Sequence, residues 1–295
     1  MSSQPYRLYY DRMTSAFVPH VMLEEMGVDY ELVHIDTGVD AHETEEFRAI
    51  NPNMLIPTLG LPDGRTFGEN GAQLVMLGDL HPESGMVPRI GDEDRPAFLQ
   101  WLFAIATTGH TTIRRYSYPE EYSTRYDAQD SVSEAAYRQL TRFYSVLDGV
   151  ISGEPWFLPR GFGPLDIYTI LILIPFEGDA LADILNTRPS LARLHAATHA
   201  RPTVERLWNF YFGADALASV DAGALVRRRH VRVLLAALQP NVIDGMFHGI
   251  QAGTVGIHPA GEDAADLAVQ RDLVHLDEGV GPRRLVVGAR IADAR

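Results

Sequence analysis

The first 85 residues alternate between strand and helix patterns, whereas every later pattern is helical. Four strands are predicted at 6–10, 30–35, 56–61 and 66–67, and three helices at 17–26, 43–50 and 72–80, in the order βαβαββα. From residue 95 onward the periodicity predicts helices alone, over 96–112, 131–151, 166–176, 180–186 and 190–200. A chain with this order is expected to form an α/β domain followed by an all-α domain.

The domain boundaries follow from this change of pattern. We expect the α/β domain at residues 1–85 and the all-α domain at residues 93–215. The remaining residues, 216–295, hold one aromatic side chain, Phe247, and the basic run RRRHVR at 227–232. Because so few large side chains are available for a core, we interpret this segment as an atypical extension of unknown role with partial order.

Two residue types are absent from the chain, and each absence excludes a class of chemistry. There is no cysteine, and all 25 basic residues are arginine. Disulfides, thiolate metal sites, a cysteine nucleophile and a Schiff-base lysine are therefore excluded. The formal charge of -14 disfavours binding to nucleic acids and to anionic membranes. Any thiol chemistry must use the thiol of a bound ligand.

The amino-terminal residues 1–12 lack the basic start and apolar run of a secretory signal. The most apolar stretch, Ile167 to Phe176, contains Pro175 and is shorter than the roughly 20 residues that a spanning helix needs. We therefore expect a cytoplasmic protein.

No metal site is expected either. His195 and His199 are spaced by one helical turn, but Arg193 and Arg201 flank them and discourage a cation. The dinucleotide-binding motif Gly-x-Gly-x-x-Gly is also absent.

Thr14 and Ser15 lie just before the first predicted helix, where N–H groups and the helix dipole favour an anion. A hydroxyl there can donate a hydrogen bond to a ligand thiolate and lower the pKa of the thiol. The alternative is that these residues cap the helix, a common task of serine and threonine.

Two further motifs can bind a ligand through the backbone or a carboxylate. A cis bond at Ile56-Pro57 would turn the N–H and C=O of Ile56 outward, where they can pair with an extended peptide; a trans proline at a sheet edge is the alternative. Glu69-Asn70-Gly71 begins a helix, so Glu69 can hold an ammonium group while N–H groups hold a carboxylate. The alternative for Glu69 is favourable interaction with the helix dipole alone.

His110 closes the helical stretch WLFAIATTGH and can face Ser15 across a cleft, where a near-neutral pKa would suit proton transfer. The alternative is a structural histidine on an apolar helix face. Asp166, at the third position of a predicted helix, is expected to bond back to the helix start, with Phe162 and Ile167 forming a hydrophobic staple.

In this order the motifs resemble those of a cytosolic glutathione transferase. The segments that carry the likeness are PHVMLEEMGVDYE, NPNMLIPTL, DGRTFGENGAQLVML, GPLDIY and RPSLARLHAATHARPTVERL, within roughly residues 6–212. The stretch LYYDRMTSAFVPHVMLEEMG is similar to the bacterial beta type, whose catalytic cysteine falls where Ser15 stands here. The resemblance implies a thioredoxin-like N-terminal domain, an all-helical C-terminal domain and a homodimer.

The resemblance also implies that glutathione is the co-substrate, ionised with the help of the Ser15 hydroxyl, and that His110 lies near the thiol or the second substrate. The residues implied to bind glutathione are Thr14, His42, Ile56, Pro57, Glu69 and Asn70. Because the chain has no lysine for the glycyl carboxylate, His42 and Arg48 are the candidates for that contact. The residues expected near the electrophile are Phe17, Arg114, Tyr116 and Tyr118.

The reaction predicted from the resemblance is attack of the glutathione thiolate on a small hydrophobic electrophile, as in detoxification. Two alternatives stay open. One is a glutathione-dependent lyase, isomerase or dehalogenase on the same scaffold, and the other is a non-catalytic binding module that has kept the fold.

Overall fold

The computed structural model describes residues 4–214 and 216. Its first four strands and three helices follow one another in the predicted order. The strands are β1 (Tyr6–Tyr10), β2 (Tyr30–His34), β3 (Thr58–Gly60) and β4 (Thr66–Phe67). They form a mixed sheet in the order β2-β1-β3-β4, with β1 parallel to β2 and β3 antiparallel to both β1 and β4. The helices of this part are α1 (Phe17–Met26), α2 (Glu45–Ile50) and α3 (Asn70–Leu80). The arrangement is thioredoxin-like.

The elements that follow are helical, as predicted. The helices are α4 (Arg95–Ala104), α5 (Thr111–Ser117), α6 (Gln129–Val150), α7 (Pro164–Leu171), α8 (Gly178–Asn186), α9 (Pro189–His199) and α10 (Pro202–Phe212). A π-helical turn, Ile105–His110, joins α4 to α5, where the sequence pattern predicted one uninterrupted helix. No helix in the described part of the chain is long and apolar enough to cross a membrane. Apart from Ala216, the predicted extension lies outside the described residues.

Two elements are shorter than predicted, in each case because of a proline. Helix α7 ends at Leu171 instead of Phe176, because the ring of Pro175 would clash with the Leu171 carbonyl in a continued helix. Strand β3 begins at Thr58 instead of Ile56, because Pro57 has no N–H to donate to the sheet. The domain boundaries at 85 and 93 stay predictions.

Helix α1 packs against α10 through aromatic rings. Phe17 is completely buried, and its ring centroid lies 5.3 Å from that of Trp208 and 6.0 Å from that of Tyr211. The prediction that Phe17 contacts the electrophile is therefore wrong: its side chain belongs to the core between these two helices, out of reach of a ligand.

Hydrogen bonds complete this contact between α1 and α10. Nδ1 of the buried His20 lies 3.1 Å from the Tyr211 hydroxyl, and the Tyr211 carbonyl accepts a hydrogen bond of 3.0 Å from the backbone N–H of Met13. The guanidinium of Arg206 lies 3.0 Å from the Glu24 carboxylate. Helix α10 thus holds both α1 and the turn that precedes it.

Asp166 caps the start of α7, as the sequence predicts. Its two carboxylate oxygens accept hydrogen bonds from the backbone N–H of Gly163 at 2.8 Å and of Phe157 at 2.7 Å. Phe162 packs on Trp156 and under the guanidinium of Arg201, so the staple with Ile167 stays a prediction.

Replacing Asp166 by asparagine should lower the free energy of unfolding by about 1–3 kcal/mol, because the amide nitrogen cannot accept one of the two buried N–H groups. Asp179→Asn, an exposed first-turn carboxylate of α8, is the control and should cost less than about 1 kcal/mol. Urea unfolding followed by circular dichroism measures both changes. Equal losses in the two variants would contradict the capping role of Asp166.

Candidate functional site

The turn between β1 and α1 is fixed from several sides. The carboxylate of Asp11, which is 8% exposed, accepts hydrogen bonds from the backbone N–H of Thr37 at 3.0 Å and from its hydroxyl at 2.6 Å. The hydroxyl of Thr14 donates to the Asp11 carbonyl at 2.6 Å. Met13 adopts a left-handed backbone with φ of 57°, a conformation that costs free energy and is often found at functional sites.

Ser15 lies at the start of α1 with a free hydroxyl. The cap position is Ala16, and no side chain caps this helix; the Thr14 hydroxyl makes only a long contact of 3.4 Å with the Ala16 N–H. The half-buried Ser15 hydroxyl forms no hydrogen bond with any residue between 4 and 214. It is therefore available to a ligand at the positive end of the α1 dipole.

The Ile56-Pro57 bond is cis, as predicted. Buried polar side chains fix the loop around it: the amide of Gln73 donates to the Pro57 carbonyl at 3.1 Å, and the amide of Asn51 donates to the Leu55 carbonyl at 2.8 Å. The half-buried Ile56 has no backbone hydrogen bond within the described part of the chain. Its N–H and C=O can therefore pair with a bound peptide backbone.

Glu69 stands at the start of α3 in an unusual backbone conformation, with φ of 62° and ψ of 111°. Its side chain is exposed, does not cap the helix and forms no hydrogen bond or ion pair with another described residue. The next side chain, Asn70, is buried, and its Oδ1 has no partner among the residues described. Both groups are placed at a helix N-terminus with hydrogen-bonding capacity unused.

His110 is bonded to Tyr168, which connects it to the start of α3. Nδ1 of His110 lies 2.8 Å from the hydroxyl of the buried Tyr168, and that hydroxyl also interacts with the side chain of Asn70. When the Tyr168 hydroxyl donates to Nδ1, the hydrogen of the neutral His110 imidazole lies on Nε2. The π-helical turn that ends at His110 sets the position of this imidazole.

Burial, assisted by the positive charge of Arg114, lowers the pKa of His110 from 6.5 to about 4. The predicted near-neutral pKa is therefore wrong, because the surrounding helices exclude the water that would stabilise an imidazolium. At neutral pH this residue is an uncharged imidazole, which can donate a hydrogen bond from Nε2 but is a weak base.

The two candidates for a glycyl carboxylate differ in their contacts. Nδ1 of His42 is buried and has no hydrogen-bond partner among residues 4–214. The Nε of Arg48 instead lies 3.1 Å from the Glu45 carboxylate, one turn away on α2. Because its Nδ1 is unpaired, His42 is the better of the two candidates for binding a glycyl carboxylate.

The residues predicted to lie near the electrophile separate into two groups. Arg114 forms two hydrogen bonds with the Glu121 carboxylate, at 2.8 and 2.6 Å, and its guanidinium lies over the Tyr118 ring at 5.2 Å. Tyr116 instead packs against Phe176, with the ring centroids 5.4 Å apart. Arg114 therefore contacts Tyr118 and Glu121 and lies near enough to His110 to lower its pKa, whereas Tyr116 packs against an aromatic side chain of the helical part.

Sequence reasoning missed the residues that support this site. Tyr168, Gln73 and Asn51 contact the candidate ligand-binding segments without being expected to bind a ligand. One signal was present for Tyr168: a tyrosine within the most apolar helix needs a hydrogen-bond partner for its hydroxyl. No group of side chains in the described residues is arranged to hold a metal ion.

Comparison with known proteins agrees with this fold. The family model "Glutathione S-transferase, N-terminal domain" matches residues 15–80. Glutathione S-transferase GstA of Escherichia coli O157:H7 is 27% identical over 171 residues, which cover 57% of this chain and 80% of that protein. Disulfide-bond oxidoreductase YfcG of Escherichia coli K12 is 27% identical over 157 residues, covering 50% and 69% of the two chains.

A solved structure of a sphingomonad glutathione S-transferase complexed with glutathione has a TM-score of 0.58 and 25% identity, covering 70% of this chain and 98% of that one. A four-stranded thioredoxin-like sheet followed by helices is the architecture of these enzymes. The chain is therefore similar to the glutathione S-transferase superfamily in the sequence of residues 15–80 and in its fold.

The imidazoles of His20, His110 and His199 should make the protein sensitive to acid, since burial lowers the pKa of each to about 4. Between the unfolded value of 6.5 and about 4, the unfolded chain binds more protons than the native one, so stability falls as pH falls. Urea unfolding at about pH 7 and about pH 5 measures this loss.

His20→Gln removes one of these groups, so its loss of stability between the two pH values should be smaller than that of the wild type. Ser190→Ala, which removes no titratable group, serves as the control and should keep the wild-type loss. If His20→Gln lost as much stability between the two pH values as the wild type does, the lowered pKa assigned to His20 would be contradicted.

Proposed function

We propose that this protein binds glutathione on its thioredoxin-like part and ionises the thiol for attack on a small hydrophobic electrophile. The observation that carries the proposal is the Ser15 hydroxyl at the N-terminus of α1, which has no hydrogen-bond partner among the described residues. A chain without cysteine cannot use a thiol of its own, so the reactive sulfur comes from the ligand.

The peptide part of glutathione has a matching set of unused groups. The free N–H and C=O of Ile56, beside Pro57, would pair with the cysteinyl residue as a strand would. The carboxylate of Glu69 would bind the γ-glutamyl ammonium, while N–H groups at the start of α3 and Asn70 would bind the neighbouring carboxylate. His42 would contact the glycyl carboxylate through its free nitrogen, and Thr14 lies beside the sulfur site.

In the proposed step, the Ser15 hydroxyl donates a hydrogen bond to the sulfur, and the thiol proton passes to solvent. The thiolate then forms a C–S bond with the electrophilic carbon, and the bonding electron pair of that carbon departs with the leaving group. Lowering the thiol pKa by two units requires about 2.7 kcal/mol. A hydrogen bond to a charged group supplies about 1.5–3 kcal/mol, and the helix dipole adds about 0.3–1 kcal/mol.

His110 would act as a hydrogen-bond donor and not as an acid or base. With its pKa lowered to about 4, the imidazole is uncharged at neutral pH, and its Nε2–H can stabilise negative charge on the sulfur or on the leaving group. Arg114 and Tyr118 would contact the electrophile. A homodimer in the cytoplasm completes the proposal.

Ser15→Ala should remove the ultraviolet absorbance of bound glutathione thiolate at neutral pH while changing calorimetric glutathione affinity by less than about tenfold, because the lost hydrogen bond stabilises the thiolate and not the peptide. Ser190→Ala, at a half-buried serine in the first turn of α9, is the matched control and should keep the thiolate signal. Full thiolate absorbance in Ser15→Ala would overturn the role of Ser15. If the wild type fails to bind glutathione, the chain is instead a binding module that kept the fold.

Glu69→Gln should weaken glutathione binding by about 10–100-fold, because a charge-assisted hydrogen bond to the ammonium is replaced by a neutral one. Glu93→Gln, an exposed carboxylate before α4, should bind glutathione like the wild type. Calorimetric titration measures both affinities. Wild-type affinity in Glu69→Gln would show that this carboxylate does not contact the ligand.

A further inference from the structure

A cavity of about 170 Å³ lies between the end of α7 and helices α8, α9 and α10. Aliphatic side chains, among them Leu173, Ile174 and Leu181, form one part of its wall, and the rings of Phe176 and Trp208 form another. None of its lining residues is among those assigned to glutathione or to the electrophile. The cavity is about the size of one that holds a single benzene ring, roughly 150 Å³.

Two imidazoles from α9 enter this apolar wall. His195 and His199 lie on successive turns, with ring centroids 4.5 Å apart, and the ring of His199 lies 4.5 Å from that of Trp208 in an edge-to-face arrangement. Neither imidazole forms a hydrogen bond with a residue in the described part of the chain. Burial lowers the pKa of both, to about 4 for His199, so they are uncharged at neutral pH.

Glu177 is a third polar group at this cavity. It occupies the cap position of α8, yet its side chain does not cap the helix and has no hydrogen bond or ion pair within residues 4–214. Partial burial raises its pKa. All three side chains are half-buried, and within the described residues none uses its hydrogen-bonding groups, so these groups are available to a ligand in the cavity.

We propose that this cavity binds a small aromatic molecule that carries an uncharged hydrogen-bond donor, of the phenol type. The ring would stack on Trp208 and Phe176, and its hydroxyl would donate to an imidazole nitrogen of His195 or His199. An aromatic carboxylate fits poorly, because no arginine is among the described lining residues and Glu177 would repel it. A metal ion is not favoured, because the side chains described here form no metal-binding group.

The test is a calorimetric titration of the full chain with phenol, and with benzene and benzoate as comparison ligands of the same ring size. We expect one phenol per chain, bound at least about tenfold more tightly than either comparison ligand, since only phenol offers the imidazoles a neutral donor. Absence of saturable phenol binding, or equal affinity for benzoate, would overturn the proposal.

Two variants locate the binding in the cavity. Leu181→Trp fills the space and should abolish phenol binding, whereas Leu185→Trp, at a half-buried leucine of the same helix that does not line the cavity, should retain it. Phenol binding by Leu181→Trp at wild-type affinity would place the ligand elsewhere and overturn the assignment. Both variants should bind glutathione like the wild type. A negative result for phenol binding can therefore be told apart from a negative result for glutathione binding.

A third variant tests the polar contact without filling the space. His195→Phe/His199→Phe keeps two adjacent rings but removes both acceptors, so phenol should lose at least about tenfold in affinity while benzene is retained. An unchanged preference for phenol over benzene would contradict the role of the imidazoles.

Discussion

The packing of α10 on α1 is the contact on which the candidate site depends. Helix α10 comes from the far end of the helical part, yet its aromatic residues enclose Phe17, and Tyr211 bonds to both His20 and the backbone of Met13. Since Met13 lies two residues before Ser15, the helical part sets where the serine hydroxyl stands. A substitution that disrupts this packing would therefore displace the backbone at Ser15, although every residue that contacts the ligand stays the same.

A second connection runs from the helical part to the other end of the site. His110 and Tyr168 lie on different helices, and Tyr168 extends the contact to Asn70 at the start of α3. Buried amides perform the same task within the sheet part, where Gln73 and Asn51 fix the loop before β3. Among the described residues, the unpaired groups of Ser15, Ile56 and Glu69 thus lie on segments that hydrogen bonds to neighbouring side chains hold in place, which is the condition for a preorganised site.

Much of this arrangement could be predicted from the sequence because it depends on local rules. Proline and glycine positions and apolar periodicity predicted the element order and most helix ends to within a few residues, but the junction of α4 with α5, the end of α7 and the whole of α10 were not predicted. The properties that were mispredicted, one burial and one pKa, are set by packing between segments that are distant in the sequence. The burial of Phe17 requires α10, and the lowered pKa of His110 depends mainly on burial against other helices such as α7, which no local pattern encodes.

The π-helical turn has a consequence for how the chain tolerates insertions and deletions. Such a turn accommodates one residue more than an α-helical path would, so deleting a residue within Ile105–His110 would restore a continuous α-helix from α4 into α5. Each residue of an α-helix advances the direction of its side chains by about 100°. A one-residue deletion inside the π turn would therefore keep α4 and α5 in register, whereas the same deletion within α4 would rotate everything after it and part His110 from Tyr168.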